Sequence, residues 1–199
     1  MINIITPTGA RPEAWANCQQ YMAAQDYPHP VRWIIVDDGP EPQAVTFCRL
    51  GWELIVVRPQ PLWQPGQNTQ ARNLLAGLDR VQDGAKVVVI EDDDAYAPDW
   101  LGKCAEWLNH DDLVGEAPTL YRHVNGREKL MTNKTPSLCQ TAMKGPAIDR
   151  FRRVLEVHPE FIDHHLWRGG GKAYPNSGGV IGIKGLPGRP GIGVGHRMA

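Results

Sequence analysis

The chain has 199 residues and a mass of 22.1 kDa, with 42% hydrophobic and 22% charged residues, which suffices for one substantial core and hardly for two. No window approaches the ~18 consecutive apolar residues of a membrane span, and the opening MINIITPTGARP lacks the charged-then-apolar pattern of a signal peptide, so a cytoplasmic protein is expected. The four cysteines, Cys18, Cys48, Cys104 and Cys139, form no C-x-x-C pair; neither a zinc site nor a disulfide framework is expected, and the thiols should be reduced and mostly buried. A formal net charge of −1 hides an asymmetry: the 36 residues from His164 onward carry Arg168, Lys172, Lys184, Arg189 and Arg197 and no acid, leaving 16 basic against 22 acidic residues before them. Such segregation suits an acidic half that holds a cation and a basic tail that meets an anion, or simply a solvated tail.

In chain order, Asn3 to Thr6, Val31 to Val36, Trp52 to Val57 and Lys86 to Ile90 are short β-branched apolar runs bounded by turn residues and predict buried strands. Between them, Pro12 to Ala24 starts with a helix-compatible proline, Pro42 to Leu50 is a shorter helix candidate, and Thr69 to Val81 has apolar residues at helical spacing. This βαβαβαβ order predicts an α/β fold with a mostly parallel, helix-covered sheet whose ligands sit at the carboxyl ends of the strands. Beyond Ile90 the alternation stops. Pro98 to Leu108 predicts a helix, Leu120 to Met131 a hairpin around Asn125-Gly126, Pro146 to Val157 an amphipathic helix, and Val180 to Ile183 a strand inside a glycine-rich end. Of the seven tryptophans, Trp15, Trp33, Trp52 and Trp107 fall in periodic segments and are expected in the core, whereas Trp63 and Trp167 are the better candidates for substrate contact.

Glu91-Asp92-Asp93-Asp94 is the sharpest chemical feature: four consecutive acids directly after a buried strand. Like charges there are costly without counter-charge, and oxygen-only ligands favour Mg²⁺ or Mn²⁺. The plainer alternative is a solvated acidic loop that caps the next helix.

An acidic D-x-D-type motif at a strand end, an early strand ending in Asp37-Asp38-Gly39, an opening strand running into Pro7-Thr8-Gly9-Ala10-Arg11-Pro12 and the element Ala71-Arg72-Asn73 together resemble a GT-A glycosyltransferase of the family 2 type, over roughly the first 110 residues. The short chain is similar to compact phage-type members. The resemblance implies a nucleotide-sugar-binding half over 1–110, an acceptor half over 111–183 and a closing tail over 184–199. It implies that Pro7, Thr8, Arg11, Asp38 and Arg72 contact the nucleotide, with Asp38 accepting a hydrogen bond from a uracil-like N–H. Asp92 and Asp93 would contact the nucleotide sugar, Asp94, Asp93 and His196 would hold Mn²⁺ or Mg²⁺, and Lys184 and Arg189 would close over the diphosphate. Glu91 departs from the family's leading aspartate. Asp163 stands where inverting members carry a general base, although Ile162 replaces the usual preceding glutamate and a helix cap also explains an aspartate there.

The resulting expectation is transfer of a sugar from a UDP-sugar to an acceptor hydroxyl. Candidate acceptors are a hydroxymethylated pyrimidine in phage DNA, which would place the protein in a host cytoplasm, and a saccharide or surface polysaccharide. A sugar-1-phosphate nucleotidyltransferase is the enzymatic alternative, and a non-catalytic nucleotide- or carbohydrate-binding module is the other.

Overall fold

The computed structural model describes residues 1–132 and 134–189. Strands β1 (Ile2–Thr8), β2 (Val31–Asp37), β3 (Trp52–Val57), β4 (Lys86–Val89), β6 (Leu113–Ala117), β9 (Thr141–Lys144) and β10 (Lys172–Pro175) form one sheet in the order β10-β6-β9-β4-β1-β2-β3. The β4-β1-β2-β3 half is parallel, in register from Ile2 opposite Val31 and Lys86. Strand β9 enters antiparallel between β4 and β6, where the expected alternation had ended. A second, four-stranded sheet runs β5 (Ala95–Tyr96), β11 (Val180–Lys184), β7 (Leu120–His123), β8 (Glu128–Leu130), and β7 with β8 is the expected hairpin.

The period-2 alternation of the strands sorts their side chains onto two faces. Ile2, Ile4, Trp33, Ile35, Val88 and Ile90 meet helices α1 (Pro12–Ala23) and α3 (Trp100–Trp107) through Trp15, Cys18, Met22, Trp100 and Leu101. Ile5, Ile34, Val36, Val87 and Val89 meet α2 (Gln70–Leu78), α4 (Pro146–Val157) and α5 (Ile162–Trp167) through Leu74, Phe151, Leu155 and Leu166. With both faces covered, the parallel strands read as continuous apolar runs. Cys18, Cys104 and Cys139 are buried free thiols and Cys48 is an exposed one.

Three expectations are corrected. Pro42 to Leu50 forms no helix, so β2 passes to β3 through a loop. The reason is a long-range side chain: the Gln19 carboxamide oxygen accepts the amides of Thr46 (2.7 Å) and Phe47 (3.0 Å), while Trp15 Nε1 and Gln19 Nε2 donate to the Ala44 carbonyl. These groups are the ones an α-helix would have paired internally. Trp167 is core, buried against Leu166 with its Nε1 donating to Thr141 Oγ1 at 3.2 Å, rather than a substrate contact. Lys184 is the last residue of β11 and buried, rather than the start of a flap.

Helix α2 lies close on β1 because Gly77 has no side chain: a Cβ there would stand 2.4 Å from Ile5 Cγ2. Gly102 in α3 has open space around it. Gly77→Ala should therefore cost about 1–3 kcal/mol in urea unfolding through overpacking, whereas Gly102→Ala should stabilise by up to about 1 kcal/mol.

Candidate active site

The carboxyl ends of β1, β2 and β4 lie side by side, which places three turns together. After β1, Gly9 adopts φ +139° and packs directly on the second turn, where its missing Cβ would be 2.6 Å from both Asp38 Oδ1 and the Gly39 amide nitrogen. Asp37 pins that second turn by accepting the Gly39 amide (3.0 Å), the Gln43 amide (2.8 Å) and Arg58 Nη1 (2.7 Å). Asp38 is fully buried, and its two oxygens differ. Oδ2 takes Thr69 Oγ1 and Arg72 Nη2 (2.9 Å); Oδ1 takes Arg189 Nη1 at 3.0 Å. Arg189 Nη2 also donates to Thr69 Oγ1 (2.6 Å), and its guanidinium lies 5.2 Å from the centre of the Trp63 ring.

The acidic run follows β4, and its four acids meet partners in three places. Asp92 is buried, accepts Thr8 Oγ1 (2.6 Å) and pairs with Arg11 Nη2 (2.6 Å). Asp93 pairs with Arg11 Nη1 at 2.8 Å. Asp94 is buried and accepts the Ile183 amide (2.9 Å) and Lys184 Nζ (3.3 Å) through Oδ1. Glu91 accepts Gln70 Nε2. Counter-charge is thus built in: Arg11 and Lys184, both expected on the nucleotide, pair with acids of the run. Thr8 likewise points to Asp92, and Pro7 is buried within β1.

Internal cations do not satisfy the run completely. Asp94 Oδ2 is buried without a hydrogen-bond partner, and Glu91, Asp94 and Cys139 present ligand atoms within 4.8 Å of one another. Burial, reinforced by Asp94 and Asp93, pushes the Glu91 carboxyl up to about 8, and burial raises Asp94 as well. Burial drives the Cys139 thiol well up too, with Asp94 and Glu91 next, so it is no thiolate. Two carboxylates raised by burial and mutual repulsion, one with an orphaned oxygen, fit a hard divalent cation. His196 and Arg197 lie outside the described residues.

Asp163 lies in the first turn of α5 rather than at its cap, which is Phe161, and accepts the amide of His164 at 2.8 Å. Burial raises its carboxyl above the ordinary range. The α4–α5 corner also carries His158 stacked on His165, with ring centres 3.8 Å apart. Asn68 Nδ2 donates to the Pro159 carbonyl (3.3 Å), which ties this corner to the loop beside Asp38. A groove of about 790 Å³ between α1 and residues 40–48 is lined by Ala10, Pro12, Trp15 and Phe47 among others, and none of the four acids lines it.

Sequence reasoning missed Gln43, Arg58, Thr69, Gln70 and Cys139. Thr69 and Gln70 directly precede Ala71-Arg72-Asn73 and were findable from their place at a helix start facing a strand end. Cys139 carried no signal, since its approach to Asp94 spans 45 positions and depends on β9 entering the sheet.

Solved structures of similar architecture include glycosyltransferases. A segment of S. aureus TarS, residues 1-349, superposes with a TM-score of 0.61 at 14% identity, over 89% of this chain and 58% of that one. The same segment in complex with UDP-GlcNAc gives 0.58 at 13% identity, over 100% and 61%. The mannosyltransferase PcManGT from Pyrobaculum calidifontis, in complex with GDP-Man and Mn²⁺, gives 0.58 at 15% identity, over 94% and 57%. The chain therefore spans less than two thirds of the length of each, and at such identities the likeness shows the GT-A fold alone. No curated protein matches the sequence. The model of Glycosyl transferase family 2 matches residues 4–167, which take in the opening strand, Asp37-Asp38-Gly39, the acidic run and α5, and the chain belongs to that family.

Proposed function

We propose that the protein transfers a sugar from a UDP-sugar to an acceptor hydroxyl with the help of Mn²⁺ or Mg²⁺. The observation that carries this reading is the meeting of a buried carboxylate (Asp38) and a strand-end acidic run holding an unsatisfied carboxylate oxygen (Asp94) at the carboxyl ends of neighbouring strands. The solved neighbours with UDP-GlcNAc, or with GDP-Man and Mn²⁺, support the donor class and the cation.

In this reading residues 1–110 bind the donor and 111–183 face the acceptor. Asp38 accepts an N–H of the base, held in place by Arg72 and Thr69. Asp94, Asp93 and Glu91 would hold the cation, which when bound neutralises charge developing on the departing diphosphate. Asp163 takes the proton of the acceptor hydroxyl as its oxygen bonds to the anomeric carbon and the bond to the diphosphate breaks. A hydroxymethylated pyrimidine of DNA and a saccharide both present such a hydroxyl. Mass spectrometry of a mixed UDP-sugar reaction with 5-hydroxymethylpyrimidine DNA and with simple saccharides identifies the acceptor. If no UDP-sugar is consumed with any acceptor or by water, the transferase reading fails.

Calorimetry of UDP with Mn²⁺ should show binding that is lost in Asp94→Asn and weakened in Asp93→Asn, and EDTA should silence turnover; unchanged binding in both variants removes these residues from the metal site. Stability should also report the cation. Glu91 is raised in the folded state, so its contribution to stability is full below its ordinary value near 4.5 and is lost as pH rises through about 8. Mg²⁺ should therefore raise Tm more at pH 8.5 than at pH 6, with about 2–4 °C for each kcal/mol regained. Asp163→Asn should keep donor binding while lowering kcat by about 10² to 10⁴. The raised carboxyl predicts that the acid limb of kcat lies above the ordinary carboxylate range, and turnover within a few-fold of the parent would assign the base elsewhere.

A further inference from the structure

The stretch 184–189, at and just beyond the end of β11, is fastened at both ends to the two carboxylates on which the donor reading depends. Lys184 pairs with Asp94 at 3.3 Å, at the acidic run, and five residues later Arg189 pairs with Asp38 at 3.0 Å. Between them the strand-end turns are crossed at close range. Gly188 (φ +106°) passes so near the first turn that a Cβ would stand 2.5 Å from the Ala10 carbonyl oxygen, and Gly185 (φ +86°) fits only without one beside His123. The segment thus runs from the place assigned to the diphosphate to the place assigned to the base.

The far end of this strap has the chemistry of a bound base. A nucleobase needs a flat face to stack on and an acceptor for its ring N–H. Trp63 offers the face, and its backbone amide, donating to the Asp38 carbonyl at 2.7 Å, keeps it beside Asp38. Thr69 and Arg72 engage Asp38 Oδ2, which leaves Oδ1 as the oxygen turned toward the seat. The guanidinium of Arg189 meets each requirement: it is planar, lies over the Trp63 ring and donates to Asp38 Oδ1 and Thr69 Oγ1. Its side chain is only 12% exposed.

We propose that Arg189 occupies the nucleobase seat of the unliganded protein as an internal stand-in, so that a nucleoside diphosphate binds by displacing it; this rests on the donor reading above. The resemblance read from the sequence suggested the reverse, an Arg189 that closes over the bound diphosphate. Displacement imposes a population cost, because apparent affinity falls by the fraction of molecules with the seat open. A strap closed in about nine molecules of ten weakens binding about tenfold. Charge-assisted hydrogen bonds hold it shut, and the chain entropy of residues 185–189 opposes them.

The test is calorimetric titration of UDP, and separately GDP, with Mn²⁺ into the parent, Arg189→Ala and Gly188→Ala. Arg72 remains on Asp38 in both variants, and far-UV circular dichroism checks that they fold. Both variants should bind UDP about tenfold more tightly than the parent. If the parent binds UDP and Arg189→Ala binds equally or more weakly, Arg189 is idle or helps to hold the nucleotide, and the stand-in is overturned while the donor reading stands. If neither parent nor variants bind UDP or GDP, the donor reading fails and the stand-in fails with it.

Discussion

Everything at the functional edge depends on how four consecutive carboxylates are kept at the end of a buried strand. A run such as Glu91 to Asp94 would repel itself and lose hydration on entering the fold, a cost of several kcal/mol per unpaired ion. The fold divides the problem. The turn after β4 sends Asp92 inward to Thr8 and Arg11, Asp93 to the other nitrogen of the same guanidinium, Asp94 to Lys184 and the β11 backbone, and Glu91 to Gln70. The partners come from the end of β1 and its turn, from β11 and from α2, so the acids double as fasteners: Arg11 ties the turn after β1 to the turn after β4, and Asp94 ties the second sheet to the first.

That arrangement leaves the buried Asp94 Oδ2 without a hydrogen-bond partner, and the incompleteness is chemically useful. A fully paired run would be a structural staple only. The orphaned Asp94 Oδ2 and the raised Glu91 carboxyl are places where the interior is left short of positive charge or of a donor, and among the described residues Asp38 Oδ1 is supplied only by Arg189. Arg189 meets part of that deficit from within the chain, as a cationic or N–H-bearing ligand would from outside.

The sheet makes these contacts possible by fixing its strand ends. Gly77 lets α2 sit against Ile5 and Val36, which brings Thr69 and Arg72 at the start of that helix onto Asp38. On the opposite face Gln19 of α1 holds the segment 44–47 in place. Gln43 next to it then reaches both Thr8 and, through its amide, Asp37. Packing on the two faces is thus coupled to the geometry of the turns.

Much of this was legible in the sequence because it is local. The four parallel strands, α1, α2, α3 and α4, the hairpin at Asn125-Gly126 and the placement of Asp38 and the acidic run at strand ends all follow from periodicity and turn chemistry within a dozen residues. What only the tertiary structure decided involves partners far apart in the chain. Pro42 to Leu50 has helical pattern but surrenders its backbone groups to Gln19 and Trp15. Trp167 has the profile of an exposed aromatic but is buried by α5 closing on Thr141. Strands β9 and β10 are held by pairing with distant strands, β9 between β4 and β6 and β10 on β6. Sequence assigned Arg11, Lys184 and Arg189 to an external anion because a cation's charge is visible in a sequence and its counter-ion is not. The fold gave each a carboxylate of its own, 82, 90 and 151 positions away, because a desolvated charge must find its opposite wherever the packing brings one within reach.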